Sequence, residues 1–291
     1  MIGFRITELA GSGAAANLAT IEQRSLNQTG RHPEQRGDPR PLHRAIASGS
    51  GIGKLPCLLA LFDLDGTLLL SDGSQHGSAV VAALRDVYGV RLPRDAVARI
   101  RPWGKTDPRI AREVLQAAGL RGKAIDRRLG EWADAAASRF TRAVKKGTTG
   151  WILRSGAAET LGALEQSGVR LALVTGNLER IARTKVSRLG LERFFPAGQG
   201  AFGSDDERRE ALVALARRRA GQSGHAWPRS WTVVVGDTPH DVAAASTDGV
   251  SCIVVPSGFY ARGEFPESTV IVQDLPQVID VMSDLRATGR S

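Results

Sequence analysis

The sequence has little of several residue types, and each shortage excludes a class of protein. Two cysteines, Cys57 and Cys252, are too few for a disulfide framework or a cysteine metal cluster, and their apolar surroundings predict buried thiols in a reducing compartment. Aromatic residues make up 5% of the chain, which is poor for base-stacking platforms and disfavours a nucleic-acid partner. No apolar run approaches the roughly 20 residues that span a bilayer, so we expect no membrane segment.

The net charge and the first 54 residues bear on the partners and the location of the protein. The net charge is +9, but the basic residues are spread along the chain, which predicts a solvated basic surface that favours anionic substrates. Residues 1–54 are rich in Gly, Ser, Arg and Pro without a helix or strand period, which predicts a disordered or misannotated leader. Arg5 and Glu8 interrupt any secretory signal, so the expectation is a soluble, cytoplasmic protein.

One apolar stretch ends in acids at a close spacing. The run Leu58-Leu59-Ala60-Leu61-Phe62 has strand length and is followed by Asp63, Asp65 and Gly66. A turn at the glycine would move Asp65 off the line of the strand. One acid would then be placed to attack a substrate and the other to handle protons, although an acid pair at a strand end can also simply cap a turn.

Two further strands end in polar residues. An apolar strand runs into Thr175-Gly176-Asn177, and a β-branched strand runs into Gly236-Asp237 with Asp241 at the start of an Ala-rich helix. Strands that alternate with helices in this way predict a parallel sheet, and ligands bind at the carboxyl ends of its strands. A role in capping the following helix would explain one acid of the pair Asp237 and Asp241 well, but it explains the presence of both less well.

In these stretches the sequence resembles the haloacid-dehalogenase superfamily of cap-bearing phosphatases, including phosphoglycolate phosphatase and beta-phosphoglucomutase. The Asp-x-Asp-Gly-Thr motif is complete from Asp63 to Thr67, and Gly-Asp-x-x-x-Asp follows the later strand. The resemblance implies an α/β fold with a Rossmann-like parallel sheet and an inserted α-helical cap. The implied division is a core of residues 55–75 and 150–291 with a helical cap over residues 76–149. Within the cap the sequence predicts helices over residues 94–100, 108–118 and 123–144, and in the core it predicts a helix over residues 206–220.

The resemblance also implies a reaction. Asp63 would attack a phosphomonoester and form an aspartyl-phosphate, Asp65 would serve as general acid and base, and Thr175 would hold the phosphoryl group. Mg²⁺ would be bound by Asp63, Asp237, Asp241 and the backbone carbonyl of Asp65, since this ion prefers oxygen ligands. The protein is thus expected to be a magnesium-dependent phosphatase whose partner is a small phosphorylated metabolite.

The sequence departs from the family at the phosphate-binding lysine, which is absent from the turn before residue 206. Arg208 and Arg209 occupy the nearest positions, and Lys185 could reach in from the preceding helix. Both arginines are more often exposed helix charges than ligands. Gly176 and Asn177 are further candidates for phosphate binding. Lys105, in a predicted cap loop, is placed either to meet an anionic group of the substrate or to stand in a plain turn before a capped helix.

Two other functions stay open at this stage. A phosphomutase would share the aspartyl-phosphate step, and a non-catalytic binding protein could keep the fold without the chemistry. His76, His225 and His240 form no recognisable constellation, and no Ser-His-Asp arrangement supports a competing mechanism. The oligomeric state is left open.

Overall fold

A parallel sheet forms the centre of the protein in the computed structural model, which describes residues 57–71, 74–93, 95–147 and 150–288. The predicted leader, residues 1–54, lies outside the described residues. The strands in this part of the chain are β1 (Leu59–Phe62), β2 (Leu69–Ser71), β3 (Trp151–Leu153), β4 (Arg170–Thr175), β5 (Ala201–Phe202), β6 (Thr232–Gly236), β7 (Ser251–Val254) and β8 (Val270–Ile271).

Six of these strands form one sheet in the order β5-β4-β1-β6-β7-β8, with every neighbouring pair parallel. The central strand β1 pairs Phe62 with Leu173 on one side and with Val235 on the other. The carboxyl ends of β1, β4 and β6 therefore meet at one edge, where the strand order changes direction and ligands bind in open α/β sheets. The predicted α/β fold with a Rossmann-like sheet is confirmed.

Both faces of the sheet are covered, as the near-continuous apolar strands require. In β1, Leu59 and Leu61 pack on one face in a small cluster, while Ala60 and Phe62 pack on the other face in the large core. Alternation of side chains along a strand produces this division. All four residues are fully buried, which fixes the register of the strand that carries Asp63.

Helices connect the strands and supply both covering layers. In the described residues they are α1 (Ser74–Tyr88), α2 (Asp107–Ala117), α3 (Gly122–Asp126), α4 (Leu129–Lys146), α5 (Ala157–Gln166), α6 (Glu179–Arg188), α7 (Arg209–Ala220), α8 (Pro239–Thr247) and α9 (Gln277–Thr288).

The four helices α1 to α4 lie between the first and second strands of the sheet, as expected for a helical insertion. Helix α1 packs on α4, where the buried indole of Trp132 donates a hydrogen bond to the Val80 carbonyl. The antiparallel pair of β2 and β3 brackets this region, with Leu69 opposite Leu153. We propose on this basis the division into a core of residues 55–75 and 150–291 and a cap of residues 76–149.

Two predicted helices of this region differ in the structure. One helix was expected over residues 123–144, but it is split into α3 and α4, because the Ile125 carbonyl accepts from the Tyr88 hydroxyl and the Arg128 amide. Of the helix expected over residues 94–100, residue 94 lies outside the described residues and the remainder is reduced to a 3₁₀ turn at Ala98–Ile100. Arg101, which precedes a proline and takes a left-handed conformation with φ 49°, ends that turn.

Other boundaries reflect local hydrogen bonds. Helix α7, expected from residue 206, begins at Arg209 because the Asp206 carboxylate accepts from the Arg208 amide and holds a turn there. Strands β2, β3 and β5 were not predicted, since two or three residues are too few for a readable alternation.

The cysteines are less buried than predicted, and both are free thiols. Cys57 precedes β1 at the rim of the sheet and contacts the Gly168 carbonyl, while Cys252 packs at the edge of the small cluster. None of the helices in the described residues combines the length and apolar character needed to cross a membrane.

Candidate active site

The turn after β1 directs its two acids to different partners. The Asp63 amide continues the sheet by donating to the Val235 carbonyl at 2.8 Å, which places the carboxylate directly beyond β1. Gly66 then takes φ +85°, a conformation that favours glycine, and the chain reverses. Asp63 is buried, whereas the Asp65 side chain is about one-third exposed. The predicted separation of the two carboxylates is present in this geometry.

A second pair of acids follows β6. The Thr238 hydroxyl accepts from the Asp241 amide, and the Asp241 carboxylate accepts in return from the Thr238 amide at 3.0 Å and the Thr238 hydroxyl at 2.7 Å. This capping box fixes the start of α8. Asp237 accepts from Thr67 at 3.1 Å and from Ser257. Asp241 thus caps α8 with one carboxylate oxygen and presents the other oxygen to the site. Helix capping and a place in the acidic site, the two interpretations of this motif, are therefore both present.

Three buried carboxylates meet at this edge. Asp63, Asp237 and Asp241 each offer an oxygen, and these oxygens lie within 4.8 Å of one another. Burial raises the pKa of Asp63 to about 6, and burial together with the neighbouring carboxylates raises the pKa of Asp237 well above its usual range. Like charges held this closely fit a hard divalent cation with oxygen ligands, such as Mg²⁺. The side chain of Asp65 is not part of this triad, and ligation by its backbone carbonyl stays a prediction.

Arg209 enters the triad from the first turn of α7. Its guanidinium is 2.9 Å from the Asp63 carboxylate, contacts Asp241, and donates to the Gly104 carbonyl at 3.2 Å. Burial acts to lower the pKa of Arg209, but the Asp241 and Asp63 carboxylates raise it above its usual value. The expectation that arginine at this position is exposed is wrong for Arg209, which is 7% exposed.

Lys185 reaches the site from α6 and holds Asp65. Its ammonium lies 2.7 and 2.6 Å from the two Asp65 oxygens and donates to the Asn177 side chain at 2.7 Å. Asn177 in turn donates to Asp65 at 2.7 Å. Burial acts to raise the pKa of Asp65, but Lys185 outweighs it and the pKa is lowered. Two of the three substitutes suggested for the absent lysine, Lys185 and Arg209, therefore lie in the site, one beside each acid of the first motif.

The other predicted substrate residues lie at the end of β4 and in the loop before α2. Thr175 is buried, and its hydroxyl accepts weakly from the Asn177 amide at 3.4 Å. A Cβ at Gly176 would lie 2.4 Å from the Lys105 carbonyl, so the glycine permits close contact between the two loops. The Lys105 ammonium pairs with Glu113 at 2.6 Å and donates to the Ile100 carbonyl at 2.6 Å. Its predicted contact with an anionic substrate group stays a prediction.

Several residues of the site lie outside the sequence motifs. The Ser257 hydroxyl holds Asp237 from the loop after β7, a position that the strand-end rule applied to β7 would have indicated. His76 on α1 contacts Lys185 and also Asp107, so the absence of a constellation around His76 was wrong. No sequence signal joins these groups, because His76 and Lys185 are 109 residues apart.

Gly66→Ala is expected to damage the site while its control leaves it intact. A Cβ at Gly66 would lie 2.2 Å from an Asp237 oxygen, and alanine at φ +85° is strained by about 1–3 kcal/mol. Gly162, inside α5, has no atom within 4 Å of its would-be Cβ, and Gly162→Ala should stabilise the helix by up to about 1 kcal/mol. Thermal unfolding and Mg²⁺ titration of both variants test this, and equal behaviour would contradict the close packing of Gly66 on Asp237.

Mg²⁺ binding is expected to release protons. Because the pKa of Asp63 is raised to about 6 and that of Asp237 is also raised, a fraction of these carboxyls is protonated near pH 6, and a cation must displace those protons. Affinity should therefore fall as the pH is lowered through 6. Calorimetric titrations in buffers with different ionisation enthalpies measure the released protons, and an affinity that does not change between pH 5 and 8 would contradict the assignment.

The chain is similar to a known family and to several known proteins. The family described as haloacid dehalogenase-like hydrolase matches residues 60–246. The phosphoglycolate phosphatase of Pseudomonas syringae pv. tomato is 29% identical over 239 residues, which cover 81% of this chain and 83% of that protein. The tyrosine-protein kinase PtkA of Mycobacterium tuberculosis is 31% identical over 221 residues, which cover 72% of this chain and 66% of that protein.

Solved structures share the fold at lower identity. The crystal structure of CbbY from Rhodobacter sphaeroides in complex with phosphate aligns with a TM-score of 0.53 and 21% identity, covering 77% of this chain and 96% of that chain. A hydrolase from Pseudomonas syringae aligns with a TM-score of 0.56 and 20% identity, covering 78% of this chain and 98% of that chain. These similarities support the sheet and helix arrangement described above.

Proposed function

Because this chain belongs to the haloacid dehalogenase-like hydrolases, we propose that it hydrolyses a small phosphomonoester through an aspartyl-phosphate on Asp63 and that it requires Mg²⁺. The observation that carries the proposal is the pair of acids after β1, of which Asp63 belongs to the buried triad and Asp65 is held separately by Lys185. A nucleophile and a proton-transfer group with different environments are what a two-step phosphoryl transfer requires.

In the first step an Asp63 oxygen attacks phosphorus and the bond from phosphorus to the ester oxygen breaks. The leaving oxygen takes a proton from the Asp65 carboxyl, which ends the step as a carboxylate. Arg209, 2.9 Å from Asp63, offsets the negative charge that gathers around the phosphoryl group, and Thr175 at the end of β4 supplies a hydroxyl near it.

In the second step water attacks the aspartyl-phosphate, and Asp65 accepts a proton from that water. The ion pair with Lys185 favours the ionised form of Asp65, which is the form that leaves the first step and accepts this proton. The same ion pair opposes the protonated form that the first step uses, and Asp65 regains that form when it takes the proton from water. Inorganic phosphate leaves, and Asp63 is a free carboxylate again. Asn177, which donates to the same Asp65 oxygen as Lys185, keeps the carboxylate in one orientation through both steps.

Asp63, Asp237 and Asp241 are the side chains that would hold Mg²⁺. Four carboxylates, Asp65 included, and two cationic side chains meet here, so an excess of two negative charges stays when all are ionised. When bound, a divalent cation would balance that excess and polarise a phosphoryl oxygen.

The substrate class belongs to the same proposal. The curated relatives named phosphoglycolate phosphatase make 2-phosphoglycolate the first substrate to try, and the site itself is built for a phosphoryl group. A small phosphorylated metabolite is the proposed partner. The two free thiols support the proposed cytoplasmic location, since reducing compartments keep cysteines unpaired.

Phosphate release from a panel of small phosphomonoesters tests the function. The panel includes 2-phosphoglycolate, a sugar monophosphate and p-nitrophenyl phosphate, each with Mg²⁺ and with excess chelator. We expect release that depends on Mg²⁺ and is lost on chelation. Undiminished release after thorough chelation would contradict the metal requirement.

The same assay separates hydrolysis from transfer to another acceptor. Conversion of a sugar phosphate into its isomer with little free phosphate would favour a phosphomutase. Labelled phosphate found on a protein side chain would favour transfer to protein, as the name of the relative PtkA suggests for that protein. If none of the three products forms with any ester, the non-catalytic alternative gains weight.

A further inference from the structure

Four side chains from four elements form a continuous polar chain that ends at Asp65. Asp107 is the first residue of α2, His76 lies in the first turn of α1, Lys185 is on α6, and Asp65 follows β1. The His76 ring contacts Asp107 through Nε2 at 3.1 Å and Lys185 through Nδ1 at 3.3 Å, and Lys185 binds Asp65. The helical region between β1 and β4 is thereby joined to the proposed proton-transfer group.

The chemistry of the donors fixes the direction of each hydrogen bond. An ammonium only donates, so His76 accepts from Lys185 with the Nδ1 lone pair. The ring proton is then on Nε2, and it is donated to the Asp107 carboxylate. The ammonium of Lys185 consequently has three kinds of acceptor around it, which are the Asp65 carboxylate, the Asn177 carbonyl and His76 Nδ1.

The Lys185 ammonium is buried and therefore requires hydrogen-bond acceptors. Lys185 is 1% exposed, and an ammonium without acceptors would be costly in that position. The His76 and Phe140 rings pack edge to face, and the Lys185 ammonium lies 6.0 Å from the centre of the Phe140 ring. The acceptors and the Phe140 ring together restrict the position of the Lys185 ammonium. The ammonium in turn orients the Asp65 carboxylate.

Asp107 also joins the start of α2 to the loop after β4. Its amide donates to the Gly176 carbonyl at 2.8 Å, and its carboxylate accepts from the Leu178 amide at 2.8 Å as well as from His76. The neighbouring Thr106 hydroxyl donates to the Glu207 carbonyl at 2.7 Å. If α2 moved away from the loop after β4, His76 would lose the group that orients its ring.

We propose that His76 and Asp107 are positioning residues that hold Lys185 against Asp65, so that proton transfer depends on the seating of α1 and α2 on the core. The proposal rests on the function proposed above. It assigns a role to two residues that touch neither the triad nor the attacking oxygen.

Leaving groups of different basicity provide the test. An alkyl phosphomonoester needs a proton on its departing oxygen, whereas p-nitrophenolate departs readily without one. We therefore expect His76→Ala to lower kcat/KM for the alkyl ester by about tenfold to a hundredfold and to lower it much less for p-nitrophenyl phosphate. Because His76 touches neither the triad nor the attacking oxygen, the loss should be in kcat rather than in KM.

Two conservative variants keep the test sharp if His76→Ala folds poorly. In His76→Asn the side-chain oxygen can take the place of Nδ1 as acceptor for Lys185, whereas His76→Gln places its amide nearer to Asp107. The asparagine variant should keep more alkyl-ester activity than the glutamine variant. His225→Asn, in an exposed loop, is the matched control and should behave as wild type.

The outcomes separate this inference from the proposed function. A wild-type protein that releases no phosphate from any ester would overturn both. An active wild type whose His76 variants lose activity equally with both esters, or lose none, would overturn the positioning role alone. An Asp107→Ala variant should reproduce the leaving-group dependence of His76→Ala, and a wild-type profile for it would exclude Asp107 from that role.

Discussion

Asp63→Asn is expected to reduce phosphate release by about a thousandfold or more, because the attacking oxygen becomes an amide that is a very poor nucleophile. The change is nearly isosteric, and the Asp63 backbone keeps its hydrogen bond to Val235. It also removes one of three closely spaced carboxylates, so the loss of attraction to Arg209 is offset by less repulsion from Asp237 and Asp241. Initial rates with Mg²⁺ on the best ester of the panel measure the effect.

Thermal unfolding of the same variant distinguishes a chemical defect from a folding defect. The unfolding midpoint without Mg²⁺ should stay close to that of the wild type. Asp95→Asn is the matched control, since Asp95 is exposed and pairs with Arg99 at the surface, and its activity should be unchanged. Near-normal turnover in Asp63→Asn would refute the aspartyl-phosphate mechanism.

Arg209→Ala is expected to cost both stability and turnover. The substitution leaves the buried carboxylates of Asp63 and Asp241 without their guanidinium, and breaking a buried ion pair on one side costs about 3–5 kcal/mol. Saturating Mg²⁺ should restore part of that loss, because the cation would then balance the same carboxylates. Denaturant unfolding with and without Mg²⁺ measures both effects.

The adjacent arginine supplies the control. Arg208 is exposed and pairs with Asp206 at the surface, so Arg208→Ala should change stability little and leave turnover unchanged. Both variants replace an arginine by alanine at adjacent positions. The Arg208 side chain is directed to solvent, whereas the Arg209 side chain is directed to the buried carboxylates. Equal effects would mean that Arg209 does not hold the carboxylates in solution.

Lys185→Ala complements this comparison through the other acid. It should leave Mg²⁺ binding nearly intact, since Lys185 contacts Asp65 rather than the triad. Turnover should still fall, because Asp65 loses its main partner. A fall in Mg²⁺ affinity as large as that of Gly66→Ala would show that the two acids are not held independently.

Much of the sheet and its acidic edge could be predicted because the signals are local. Each strand that ends at the site is an apolar run followed within a few residues by polar groups, as with Asp63 after β1 and Asp237 after β6. Parallel connection then brings these ends together without further information. The α/β fold, the family and the acids of the triad followed from those short stretches.

The cationic side of the site could not be predicted with the same precision. Arg209 is buried by its contacts with two carboxylates of the triad. It stands at the first position of α7, which begins three residues later than its sequence pattern indicates because Asp206 holds a turn there. Lys185 lies on a helix whose orientation is set by packing rather than by periodicity. His76 and Asp107 meet across 31 residues, a distance over which sequence offers no register. Long-range packing, which no local pattern encodes, decides these contacts.

The antiparallel pair of β2 and β3 has a consequence for how such a protein can change. Adjacent strands lie about 4.8 Å apart, so the chain leaves the core and returns to it at nearly the same place. A different helical segment inserted there would keep the strands that carry the three acids, but it would remove the Gly104 carbonyl that accepts from Arg209 and would alter which molecules reach Asp63. It would also remove His76, so each exchanged segment would have to bring its own acceptor for Lys185.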